Sequence, residues 1–312
     1  MQTVGMITII SAILAATVRM ATPIIYAGVG EVFSERSGVI NIGLEGIMLL
    51  GAIGAYATAY STGNLWLGIL VAVFIGLLCG IVFALFTVTI KANQIVVGTA
   101  FNLVGAGLSG FLYRSMFVNN SYLTLGLTPF PDIKIPFLNQ IPLLGDVLFD
   151  HNFLVYGTLI LVPLATFILN KTAFGLAVRS VGEHPKAADT MGINVNHIRY
   201  ICILIGTSLA SVGGATLSLA FANQFVEGIT TGRGFIALAA VVFGSWKPWG
   251  VTATALLFGF FYALQLRVQA MNTVFLPYQL LQALPYVATI LVLISIRNRS
   301  ATPKALGIPY KS

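Results

Sequence analysis

The sequence predicts an all-α polytopic membrane protein that crosses the bilayer about nine or ten times, with broken or half-helices among the crossings. Composition is the first reason: 57% of the 312 residues are hydrophobic, 8% are charged, and mean hydropathy is +0.93. A water-facing globular domain carries about 25% charged residues. Run length is the second. Several apolar stretches reach the roughly 20 residues that a helix needs to span a bilayer, whereas a β-barrel would show alternating segments of about ten residues. The third is the placement of Lys and Arg, which gather on one side of the spans.

The first span covers 5–33. Its opening, MQTVGMITIISAILAATV, has no basic stretch ahead of the apolar run, so it reads as a span and not as a cleaved leader. Arg19 and Pro23 interrupt it, giving one broken helix or two short ones. Spans at 38–60, 65–90 and 93–113 follow. Residues 114–152 form an outer loop rich in Pro and Asp, including TPFPDIKIPFLNQIPLLGDVLFDHN. The span 153–170 leads into a hydrophilic segment, 171–197, that contains GEHPKAADTMGI. Pro185 suits the first position of a short helix there and Gly192 its end. Spans at 198–222, 250–270 and 278–297 complete the set, together with 234–245, which is too short to cross alone. That last segment reads as a half-helix, tolerated where protein or a hydrated cavity surrounds it. No soluble domain stands apart, so residues 1–312 read as a single transmembrane domain.

Charge orients the chain. With the N-terminus outside, eleven of the sixteen Lys and Arg residues fall on the cytoplasmic side: Arg36, Lys91, Lys171, Arg179, Lys186, Arg199, Lys247, Arg297, Arg299, Lys304 and Lys311. Arg114, Lys134, Arg233 and Arg267 lie on the outer side or rim, and Arg19 is left in the membrane. This bias puts the C-terminus in the cytoplasm. It also accounts for the net charge of +7 without a nucleic-acid partner. Cys79 and Cys202 fall inside spans and are expected as free thiols. Glycine, at 32 residues, recurs at helix-contact spacing around Gly76 to Gly80 and Ala210 to Gly214, where small residues let helices approach closely.

Polar residues inside this apolar chain are the candidates for function. Asn41 and Glu45 stand four apart and would share one helix face, with Glu45 about seven residues into its span, roughly 10 Å from the cytoplasmic end. A charge there costs several kcal/mol unless it is paired or wetted. Arg19 is the one basic residue expected at comparable depth. Glu45 therefore reads as a buried structural hydrogen-bonding group, as a lining of the transport path, or as a proton carrier. In the structural case Glu45→Gln should be tolerated, because it keeps shape and most hydrogen bonding. Glu35 and Arg36 read as a short solvated cytoplasmic turn that anchors orientation, or as a contact for a cytoplasmic partner. Asn102 falls inside another span as a further path or buried polar candidate. Gln224 and Glu227 lie with Thr230, Thr231 and Arg233 just before the half-helix, whose positive N-terminal end would suit hydroxyl-rich or anionic solutes.

Catalytic patterns are missing. There is no H-E-x-x-H and no G-x-x-x-x-G-K-[ST] loop, and His151, His184 and His197 lie in or beside loops. This chain is not expected to hydrolyse ATP, to hold a metal or to bind a cofactor.

Three stretches carry a resemblance. FSERSGVINIGLEGIMLLGA, AVRSVGEHPKAADTMGINVNHIRY and FVEGITTGRGFIALAAVVFGSWKPWG follow one another along the chain. They resemble ATP-binding-cassette (ABC) importer permeases of the ribose and branched-chain amino acid type, and most closely the nucleoside, simple-sugar-like branch. The resemblance implies a multi-pass subunit of a bacterial cytoplasmic membrane, embedded in lipid and paired with a second permease. A cytoplasmic ATPase, often with two fused domains, would use ATP and Mg, and an extracellular binding lipoprotein would deliver solute. It implies that Glu183, His184, Pro185, Lys186, Ala187, Ala188, Asp189 and Gly192 form the cytoplasmic coupling helix. Nucleosides are the expected cargo; a simple sugar such as ribose is the alternative. An ion-coupled carrier would want several deep carboxylates or paired half-helices.

Overall fold

Inside a bilayer the backbone has no water to bond, so a chain this apolar closes its hydrogen bonds within helices. The computed structural model describes residues 2–118, 127–134, 149–270 and 302–310, with the isolated positions 145, 147, 283, 287 and 290. In chain order the helices are α1 (Gln2–Arg36), α2 (Leu44–Thr62), α3 (Leu65–Ala84) and α4 (Gln94–Tyr113). An antiparallel ribbon follows, β1 (Asp132–Lys134) with β2 (Asp150–Asn152), Asp132 opposite Asn152. Then come α5 (Phe153–Lys171), α6 (Ala173–Glu183), α7 (Pro185–Thr190), α8 (Val195–Thr216), α9 (Arg233–Phe243) and α10 (Pro248–Ala270). Helices α3, α4 and α8 each run on into a π-helical turn, Leu85–Thr89, Arg114–Val118 and Leu217–Phe221.

Side-chain caps set where several helices begin. Asn64, Asn93, Asn152 and Asn194 accept hydrogen bonds from the first-turn amides of α3, α4, α5 and α8, and Thr172 does so for α6. These are the residues that best satisfy the unpaired amides of a helix start.

Among the described residues, six helices are long and apolar enough to cross a membrane: α1, α3, α4, α5, α8 and α10. Helix α2 lies at the centre, its long buried face enclosed by α3, α4 and α8. Helix α9, with 11 residues, is about 16 Å long, half a hydrocarbon core. The half-helix expected at 234–245 is therefore present. The expected span 278–297 lies outside the described residues apart from 283, 287 and 290, as does much of the outer loop 114–152.

One expectation fails at the first span. Helix α1 runs unbroken through Arg19 and Pro23 for 35 residues, about 50 Å. Pro23 removes a single intrahelical bond, and the helix around it is held on both sides. Helices α8 and α10 press along α1, and that packing keeps it whole. Arg19 is exposed, so its charge does not have to be accommodated inside the bundle.

The core is the contact of α1, α2, α8, α9 and α10, with Ile24, Val32, Ile47, Met48, Ala237, Val241 and Phe258 buried in one cluster. Backbone-close crossings surround it. Gly46 of α2 lies against Gly105 of α4, and a side-chain carbon at either position would collide with main chain. Gly76 and Gly80 meet Thr207 and Ser208 of α8, and Gly214 meets Met48, as the glycine spacing anticipates. Large apolar side chains such as Leu70, Phe74, Leu103, Phe111, Ile160 and Phe167 point outward from α3, α4 and α5. Cys79 and Cys202 are free.

Candidate functional site

The site is built around the break between α1 and α2. Helix α1 extends to Arg36, and residues 37–43 form a non-helical turn before α2 starts at Leu44. Gly38 takes a left-handed φ of +94°, which bends the chain out of the helix. The Asn41 side chain then accepts from Gly43 N at 3.0 Å, a local turn that competes with helix. Neighbouring helices satisfy the remaining backbone of the turn. Val39 N donates to Ser34 O at 3.1 Å, Ile40 N to Gln94 Oε1 at 2.8 Å and Asn41 N to Glu31 Oε1 at 2.8 Å. Asn102 of α4 bridges the entry to α2, giving its Nδ2 proton to Ile42 O and accepting from Gly46 N, each at 2.9 Å.

This geometry corrects the expectation that Asn41 and Glu45 share a helix face. Asn41 precedes the helix, and Glu45 sits in its first turn, not seven residues in. Glu31 and Glu35 are more deeply buried than Glu45, at 0% and 3% exposure. Glu35 and Arg36 do not form a solvated turn. They close α1 and grip Trp246, whose indole donates to Glu35 Oε2 at 2.5 Å and whose carbonyl accepts from Arg36 Nε at 3.0 Å. Continuing the four-residue spacing of Glu31 and Glu35 past position 33 would have put both on α1.

Glu45 is a cap for another helix. Its Oε1 accepts from Thr230 Oγ1 at 2.5 Å and from Gly232 N at 2.8 Å, and its Oε2 accepts from Gly234 N at 2.7 Å. The carboxylate thus fills the N-terminus of α9, where unpaired amides and the helix dipole favour negative charge. Gly232, with φ +81°, and Gly234 let it come this close; a side-chain carbon at 234 would stand 2.5 Å from Glu45 N. Arg19, exposed on α1, is not the partner of Glu45. The N-terminus of α9 is already occupied by Glu45, so it is not open to an anionic solute.

Gln224 and Glu227 are exposed, not buried. They lie in the turn that leaves α8 at the far end, where Glu227 pairs with Arg114 at 3.1 Å. Gln94 belongs to the site and was missed, and Thr230, expected only as part of the turn before the half-helix, turns out to be a partner of Glu45. Their partners lie 54 and 185 residues away, and a single sequence gives no signal for such pairs.

At the opposite end from that turn, the segment 171–197 folds as α6 and α7. Glu183 closes α6, His184 breaks the chain, and Pro185 opens α7 at its first position. The short helix is therefore Pro185–Thr190, narrower than the stretch Glu183–Gly192 expected from the resemblance. Gly192, with φ +83°, ends it, and Ile193 N donates to Ala188 O at 3.1 Å. His184, Lys186, Ala187 and Asp189 are exposed, and Met191 is 82% exposed. Ala188 turns inward against Val181, Val195 and Tyr310.

Residues 13–293 match the family described as branched-chain amino acid transport system / permease component. A guanosine ABC transporter permease of Bacillus subtilis is 39% identical over 97% of this chain and 98% of its own. A nucleoside ABC transporter permease of Lactococcus lactis is 37% identical over 93% of each chain. A provisionally assigned glucose ABC transporter permease of Haloferax volcanii is 39% identical over 96% of this chain and 97% of its own. Both bacteria hold a second matching permease of the same description, 27% and 25% identical to this chain. No solved structure matches.

Proposed function

The chain belongs to the branched-chain amino acid transport system permease family, and from that premise we propose that it lines half of the path of an ATP-driven nucleoside importer. It is a multi-pass membrane subunit and not an enzyme; ATP hydrolysis belongs to a partner ATPase. One observation carries the choice of solute. The N-terminus of α9, which an amino acid carboxylate would seek, is filled by Glu45. An uncharged, hydroxyl-rich solute suits the surroundings better. Asn102 and Glu45 are half-buried, and Phe235, beside Gly234, is 49% exposed, a face on which a nucleobase can stack. Guanosine and nucleoside relatives at 39% and 37% identity support the same class. The glucose relative keeps a simple sugar as the second reading.

The second permease of the same description in two relatives' organisms supports a heterodimer. In this reading the C-terminus and α7 face the cytoplasm, where α7 is the coupling helix for an ATPase that uses ATP and Mg. The outer ribbon and the turn at 223–233 face a binding lipoprotein. Asn41, Glu45 and Asn102 shape the path, and Gln224 and Glu227 stand at its outer rim. Competition in energised cells tests the solute. Loss of this chain should abolish high-affinity guanosine uptake, and in wild-type cells unlabelled nucleosides, not glucose or ribose, should compete for it. Intact nucleoside uptake with lost sugar uptake would favour the second reading instead.

A further inference from the structure

The stretch 302–310 touches three separate parts of the end that carries α7. Tyr310 Oη donates to Asp189 Oδ2 of α7 at 2.8 Å, and its ring packs with Ala188, Val181 and Val195. Ala305 N donates to Gly182 O, in the last turn of α6, at 2.9 Å. Gly307 N donates to Gly38 O, in the α1–α2 turn, at 3.1 Å. Arg199 of α8, 1% exposed, ties the stretch to that turn a second time. Its Nη1 donates to Ile308 O at 3.1 Å and its Nε to Ser37 O at 3.2 Å. A buried guanidinium spent on two carbonyls is costly unless both bonds hold.

We propose that residues 302–310 are a strut that joins the coupling helix to the α1–α2 turn, carrying a displacement of α7 to the start of α2. The proposal rests on the reading of α7 as the ATPase-facing helix. The direct route from α7 to α8 runs through the Ala188–Val195 packing and through Gly192, which is left-handed and hydrogen-bonded back to Asp189; the strut is a second route beside it. The strut route is bonded at every link. From Tyr310 it reaches Gly38 through Gly307 and Ser37 through Arg199. From the turn it reaches Glu31, Gln94 and Asn102 through Asn41, Ile40 and Ile42. It ends at Glu45 and the capped start of α9. Tyr310 and Arg199 are positioning residues in this scheme, because Tyr310 bonds α7 and Arg199 bonds the turn.

A chain of contacts is not by itself a demonstration of coupling, so the test reads both ends. Tyr310→Ala and Tyr310→Phe are compared with wild type, first by amide exchange on the purified chain, then in the complex that copurifies with its ATPase. The strut predicts that Tyr310→Ala speeds exchange in 302–310 and also in 37–41. It predicts that the ATPase still copurifies while solute-stimulated hydrolysis falls several-fold, with Phe between the two. Faster exchange confined to 302–310, wild-type stimulation in the Ala variant, or loss of the ATPase would each overturn it. If wild type itself brings down no ATPase, the transport reading fails, and the exchange at 37–41 still decides on the strut.

Discussion

Glu45 has three partners, and all of them donate: a hydroxyl and two amides. That changes what substitution should do. An amide at this position must turn its NH2 group toward an N–H, so Glu45→Gln is not a silent change. We expect it to destabilise by about 1–3 kcal/mol, close to Glu45→Leu, because either leaves buried donors unsatisfied. Gly234→Ala should cost a similar amount by forcing the carboxylate off the helix end, about 1–3 kcal/mol. Thermal unfolding in detergent measures both, and a Gln variant as stable as wild type would remove the cap from the account. Arg114 and Glu227 offer the contrast. Both are well exposed, so Arg114→Ala should change stability by less than about 1 kcal/mol. The sequence marked Glu45 as a residue needing an explanation, because a carboxylate in an apolar span is rare. It could not show the explanation, since Thr230 and Gly234 lie far away in the chain.

At the scale of elements, the spans at 65–90, 93–113 and 153–170 were legible from apolar run length, and a helix begins within a residue of each. The structure adds what sets such starts: Asn64, Asn93, Asn152, Asn194 and Thr172 each cap a helix. Helix α1 was not legible. Pro23 usually ends a helix, yet tertiary enclosure by α8 and α10 keeps this one whole. The start of α2 was hidden for the opposite reason: the apolar run continues through 38–43, while Gly38 and Asn41 bend it. For α7, Pro185 and Gly192 marked both ends. Gly192→Pro should remove the end of that helix, because proline cannot reach φ +83° and lacks the amide that bonds Asp189 O at 2.9 Å. Ala188→Arg should prise α7 from Val181 and Val195, where Ala188 is 4% exposed. In both variants insertion and pairing should persist while solute-stimulated ATP hydrolysis and uptake fall. Wild-type values for both in a well-inserted variant would mean that α7 does not transmit force.

On the scale of the whole molecule, the two ends differ. One carries α7, residues 302–310 and most of the described basic side chains; the other carries the β1–β2 ribbon and the turn with Gln224 and Glu227. Between them the half-helix α9 stops at Glu45, and the charge of that residue is absorbed by the helix it caps. The account stands or falls on α7 meeting an ATPase from the cytoplasm. Met191, 82% exposed beside α7, is the place to look, since a cysteine there disturbs no packing. A photoactivatable thiol reagent on Met191→Cys, applied to inside-out membrane vesicles, should capture the nucleotide-hydrolysing subunit, and the same reagent kept outside intact cells should capture nothing. Labelling of that position from outside intact cells, or capture of no ATPase from the cytoplasmic face, would contradict the account.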